Sequence, residues 1–344
     1  MYLPLRYTMS PLRDAPTALL FSMAAALLLV VNARQRRAAA PRAVVQLRKM
    51  YANIRAEADK KADEWPHASA ITSKLDMTLV RLRPPEFTDG HGPIGAYAML
   101  DTTAQRALLN WCKAAFDDFI NDLREGLTPH QLAEFERLVW VNAEASYHTC
   151  VSVFHEHPSL LADSERPKWK PVQGELRTTL AGALRDATGC LASPRLTLDS
   201  ISITADGAFI VGFCDDASAS FDRLREVCVA TALKTLGGEL TSRPKSLIHV
   251  TIGRLLGAPT CLTAEQRARI AATVRRHNND LLPGLVASAA VSAPETLEMR
   301  VGSLSLVRDR VWWMTAFDEY ATWPLGAERV RSTERESRAR QLQF

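Results

Sequence analysis

The sequence predicts an α+β fold with a coarse internal duplication, and three observations carry that prediction. β-like and helical stretches alternate from residue 146 to residue 325. Two β-like runs share one design: SYHTCVSVF (146–154) and SLIHVTIGRLL (246–256) each start at a histidine with a small residue two places on. Asp206-Gly207 lies between two further β-like runs and reads as a hairpin turn.

The elements follow in order. Residues 42–65 are charged and free of Pro and Gly, as in an exposed, partly amphipathic helix. LDMTLVRLRPPEF (75–87) reads as a short strand ended by Pro84-Pro85, and 88–97 as a loop. A helix is expected over 101–127, capped by Asp101 or Thr102 and stopped by Gly126. Its apolar stripe is Leu108, Leu109, Cys112, Phe116, Phe119, Ile120 and Leu123. A second helix, over 128–141, opens with a cap and a proline. Residues 171–189 read as helix, 196–213 as a hairpin and 219–238 as a helix closed by Gly237-Gly238. Thr263 and Gln266 form a capping-box pattern for a helix over 263–281. Residues 296–325 hold two or three strands, with a turn near Arg308–Arg310.

Composition is that of a globular chain: 344 residues, 47% hydrophobic and 23% charged. A net charge of +4 is too mild to argue nucleic-acid binding alone but suits an anionic ligand. The six cysteines are scattered without CxxC or zinc spacing, so no metal site and no disulfide framework is expected. The N-terminus differs from the rest. PTALLFSMAAALLLVV (16–31) is apolar and flanked by arginines on both sides. It is shorter than the ~20 residues that span a bilayer comfortably. It reads as a signal peptide, a signal anchor or an organelle transit segment. A membrane tether through 16–31 is therefore expected, with a membrane-anchored or secretory location and an organelle as the alternative. The division expected is a leader over 1–40, a helical region over 41–140, an α+β domain over 141–326 and a charged tail over 327–344.

Alternate residues of a strand share a face. His148, Cys150 and Ser152 then point one way, as do His249, Thr251 and Gly253, while the intervening positions are mostly apolar. Each run pairs a core face with a face carrying an imidazole and small polar groups, which lines something wet.

These runs resemble the two-histidine (2H) phosphoesterase superfamily, whose mark is two His-x-Thr/Ser motifs on strands of a pseudo-twofold α+β fold. IHVTIGR matches the second motif, the hairpin and helix over 196–238 look like the elements before it, and VGSLSLVRDRVWWM looks like the closing strand pair. The resemblance covers about 140–325. It implies a two-lobe fold with antiparallel sheets around a central cleft and helices outside. It also implies attack on a phosphodiester without metal or cofactor, on a 2′,3′-cyclic phosphate or an RNA end. His148 and His249 would be general acid and base, in either order, and Thr251 would hold the phosphate.

The first motif departs from the pattern, because Cys150 stands where the family has Thr or Ser. A thiol donates a weaker hydrogen bond than a hydroxyl, so Ser152 or a backbone N–H would have to substitute. Arg254 would aid the anionic substrate or make a salt bridge. A different class fits the same residues: a non-catalytic nucleotide- or RNA-binding module with a degenerate first motif. A thiol enzyme built on Cys150 lacks an oxyanion-hole motif. His155 and His157 read as structural or rim residues. Tyr147, Trp312 and Trp313 are aromatic candidates for stacking on a base, one of the two tryptophans being core.

Overall fold

Two antiparallel sheets carry the two histidine strands, one strand in each. The computed structural model describes residues 43–61, 92–101, 105–157, 170, 172, 174–237, 246–255, 262–310 and 317–326. The apolar run 16–31, the strand expected over 75–87, Trp312, Trp313 and the tail 327–344 lie outside them. Among the described residues no helix is long and apolar enough to cross a membrane.

The first sheet has four strands in the order β3-β1-β8-β9. They are β1 (Ile94–Met99), β3 (His148–His155), β8 (Ser303–Asp309) and β9 (Phe317–Pro324). The second has five, in the order β2-β6-β5-β4-β7. These are β2 (Val139–Val141), β4 (Arg195–Ile203), β5 (Ala208–Cys214), β6 (His249–Leu255) and β7 (Glu298–Arg300). The two-lobe α+β architecture with antiparallel sheets is thus the observed one, and one contiguous core of buried residues runs through both lobes.

The Asp206-Gly207 hairpin joins β4 to β5. Gly207 sits at φ +85°, and a Cβ there would come within 2.2 Å of the Leu255 carbonyl oxygen.

Helices form an outer layer. α1 covers residues 43–60. α2 (Arg106–Arg124) buries the whole predicted stripe and packs on β6, with the Phe116 and Phe119 rings 5.2 and 6.1 Å from that of Phe209. α3 (Pro129–Glu136) is opened by a Thr128–Gln131 capping box. α4 (Gly174–Thr188) and α5 (Ser220–Leu236) pack on each other, and α5 also lies against β3. α6 (Ala264–Arg276) is opened by the expected Thr263–Gln266 capping box.

Four local expectations change. Residues 94–97 are strand rather than loop: β1 lies between β3 and β8, so tertiary pairing decides its state. α2 begins at Arg106, with Gln105 at its start and no side-chain cap; the Gln105 side-chain amide N–H donates to the Arg300 carbonyl at 2.7 Å. The helix over 128–141 stops at Glu136, and Val139–Val141 pairs with β6. The helix over 263–281 continues through a π turn (His277–Leu281) into α7 (Leu282–Ser292). Pro283 has no N–H to donate, and the wider turn ahead of it accommodates that loss. Both sheets therefore draw strands from the chain before residue 141.

α1 is tied to the second lobe by Arg48, which pairs with Asp199 at 2.7 Å, by Arg55, which donates to the Ser202 hydroxyl at 3.3 Å, and at its centre by Tyr51. Tyr51 is fully buried, and its hydroxyl lies 2.6 Å from the Ile248 carbonyl and 2.9 Å from that of Phe213. It also accepts from the Phe213 N–H at 3.0 Å. Tyr51→Phe should lower stability by about 1–3 kcal/mol, the cost of leaving such buried groups unmade. Urea unfolding of the two proteins checks this.

Candidate active site

The chain crosses from one sheet to the other immediately before the first histidine. β2 ends at Val141, a six-residue link follows, and β3 begins at His148. The link is folded on itself, with the Ser146 N–H and hydroxyl both donating to the Ala143 carbonyl, at 2.9 and 2.7 Å. Glu144 in the link is paired with Arg106 at 2.9 Å and Lys113 at 3.0 Å, both on α2.

This link does two things for the site. The Ser146 carbonyl lies 2.7 Å from His148 Nδ1. A carbonyl only accepts, so Nδ1 carries the proton and Nε2 keeps its lone pair. The Tyr97 ring stands edge-on to the imidazole with centroids 5.0 Å apart, which limits its rotation. At the other end of the link, the Asn142 side-chain amide donates to the Thr251 carbonyl at 2.9 Å and its N–H to the Ile252 carbonyl at 3.0 Å. Trp140 Nε1 in turn holds the Asn142 side-chain oxygen at 3.0 Å.

The Thr251–Ile252 segment needs that support because β6 is irregular there. Ile210 of β5 pairs with Thr251 and the next residue, Phe209, with Gly253, leaving Ile252 as an extra residue. The bulge changes the expected faces. His249, Thr251 and Arg254 are half-buried, while Val250, Ile252, Gly253 and Leu255 are buried. Gly253 is turned to the core: a Cβ there would lie 2.5 Å from the Phe116 ring. The bulge thus puts Arg254, not Gly253, on the side of His249 and Thr251. Its guanidinium donates to the Asp206 carboxylate at 3.1 Å, so a salt bridge already holds the residue.

In β3, His148 and Cys150 are half-buried, and Cys150 is a thiol outside any disulfide. Thr149 is fully buried on the opposite face. Ser152, expected beside them, is only 2% exposed, deep under the sheet beside β1, so it does not reach the open face. His155 is buried at the far end of β3, and Tyr147 is buried at 1% exposure, which removes it as a stacking surface. Within β3 and β6, His148, Cys150, His249, Thr251 and Arg254 are the half-buried residues.

The two imidazoles come from different sheets yet sense each other. β3 and β6 approach closely. Burial lowers the pKa of His249 to about 4, and positive charge on His148, Arg254 and Arg225 pushes the same way, against Asp206 alone. Burial also lowers His148 to about 4, but there the Ser146 carbonyl favours the imidazolium. Both rings are therefore neutral near pH 7. His249 Nδ1 is buried and has no hydrogen-bond partner among the described residues, leaving its tautomer open.

No family model matches the sequence, and no curated protein matches it. Solved structures do. LigT of E. coli in complex with 3′-AMP is 13% identical, covers 68% of this chain and 98% of its own, and gives a TM-score of 0.39. TT0787 of Thermus thermophilus is 15% identical over 69% and 100%, at 0.37. Usb1 of Kluyveromyces marxianus is 14% identical over 69% and 100%, at 0.35. The chemistry of the present site rests on its own residues.

Asn142, Tyr97 and Arg225 were not singled out from the sequence.

An imidazole that titrates at about 4 when folded and near 6.5 when unfolded binds protons more readily in the unfolded chain. The contribution of these two imidazoles to stability should therefore be full above pH 6.5 and be lost as the pH drops toward 4. His249→Gln should reduce that loss, as read by urea midpoints across the range.

Proposed function

We propose that the protein is a metal-independent phosphodiesterase acting on a 2′,3′-cyclic phosphate or an RNA end. The observation that carries this reading is the pair of imidazoles delivered by separate sheets to one site, His148 with a fixed tautomer. In-line displacement at phosphorus needs a base and an acid on opposite sides of the reacting centre, and two facing strands meet that requirement.

The surroundings favour one assignment. His249 has Arg225, Arg254 and His148 as cationic neighbours, so its neutral form is preferred and it serves as general base. His148 has a carbonyl on Nδ1, which stabilises its imidazolium once a phosphate anion enters, so it serves as general acid. His249 takes a proton from water as the water oxygen bonds to phosphorus. His148 gives a proton from Nε2 to the ribose oxygen as its bond to phosphorus breaks. The Thr251 hydroxyl and the Cys150 thiol hold the non-bridging oxygens, and Arg254 adds positive charge while it remains paired to Asp206.

Cys150 favours a second reading, a nucleotide- or RNA-binding module on the same fold, because a thiol is a weak donor to a phosphate oxygen. Hydrolysis of a 2′,3′-cyclic mononucleotide panel with EDTA present separates the two. Turnover should survive EDTA and fall by about 10²-fold or more in His148→Ala and in His249→Ala. Full activity of His249→Ala would overturn the mechanism. Tight binding without turnover by the folded protein would leave the binding module.

A further inference from the structure

We propose that Arg225 is a positioning residue that ties the two histidine strands into one site, an inference that rests on the two-histidine reading above. β3 is the edge strand of its sheet, and β2 covers only Gly253–Leu255 of β6. Among the described residues no main-chain ladder joins β3 to the His249 end of β6. Arg225 spans that gap from α5. Its Nε donates to the Val151 carbonyl at 3.2 Å and its Nη2 to the Cys150 carbonyl at 3.2 Å, both in β3. Nη2 also donates to the Leu247 carbonyl, and Nη1 reaches that of Ser246 at 3.5 Å, both just ahead of His249.

The residue type fits the task. Two carbonyls of β3 and two just ahead of β6 need several donors in a rigid plane, which a guanidinium has and an ammonium lacks. Arg225 is 8% exposed, and burying a cation is unfavourable unless its protons are spent. Here they are, with the Asp222 carboxylate at 3.6 Å and the Phe221 ring 4.7 Å from the guanidinium carbon completing the enclosure. The helix is itself held in place at its start. The Asp215 carboxylate accepts from the Phe221 and Asp222 N–H groups at about 3 Å, one turn before Arg225.

The strap also carries charge. The groups facing His249 are Arg225 from α5, Arg254 from β6, His148 from β3 and Asp206 from the hairpin turn. Around Arg225 itself stand Cys150, Asp222, Tyr51 and Asp215. Removing the guanidinium should let the strands shift and leave His249 easier to protonate.

The test uses the full chain with Arg225→Lys and Arg225→Gln. Readouts are kcat and KM on 2′,3′-cyclic nucleotides, and the NMR titration of the His249 imidazole, which needs no activity. Arg225→Gln should raise the His249 midpoint, while Arg225→Lys should keep it low. Both should lose kcat by about 10²-fold, the effect of a small misplacement of reacting groups, with KM changing less. A folded Arg225→Gln with wild-type kcat and an unmoved His249 midpoint overturns the proposal, whatever its melting temperature, since a merely structural residue would move only the latter. Should both variants fail to fold, the unmodified chain still decides. A slowly exchanging arginine Nε–H with cross-relaxation to residues 151 and 247 is expected, and its absence overturns the strap. If the wild type hydrolyses nothing but the midpoint moves in Arg225→Gln, the strap stands and the phosphodiesterase reading falls.

Discussion

The two histidines belong to separate sheets, and that constraint governs the rest of the molecule. Strands within a sheet fix one another through their ladders, to within a fraction of an ångström. Strands in different sheets have no such gauge, and catalysis by an acid and a base tolerates little slack. Side chains supply the gauge here. Arg225 holds the carbonyls of Cys150 and Val151 on one side and those of Ser246 and Leu247 on the other. Tyr51 takes the next carbonyl, that of Ile248. Three successive carbonyls before His249 are thus bound by side chains of α5 and α1. The link between β2 and β3 adds a second gauge, with Asn142 bonded to Thr251 and Ser146 to His148.

Electrostatics follow from the same placement. Two guanidiniums and two imidazoles face each other with Asp206 as the acidic counterweight named around His249. These surroundings keep both imidazoles neutral, because protonating either would add charge to a poorly hydrated cationic region. A bound phosphate reverses the balance by supplying negative charge where the protein has little.

Much of the fold was legible. The stripe of α2, the capping boxes of α3 and α6 and the Asp206-Gly207 hairpin depend on neighbours within a few residues, and local chemistry decides them. β1 was read as loop because IGAYAM alternates weakly. Its strand state comes from β3 and β8 on either side, which lie far along the chain. The fate of Pro283 depended on a π turn that no short-range pattern announces.

For the site, the sequence by itself determined the residue inventory: two histidines starting two strands, each with a core face behind it. Those are properties of a period of two and of the side chains in order. Only the tertiary structure decided which small residues accompany them. The bulge at Ile252 turned Gly253 inward against Phe116 and brought Arg254 to the open face, since one extra residue in one strand reverses the alternation beyond it. The same holds for Arg225. In sequence it is one more arginine on a helix. Its role arises because α5 carries it over the gap between β3 and the segment leading into β6, which share no ladder among the described residues.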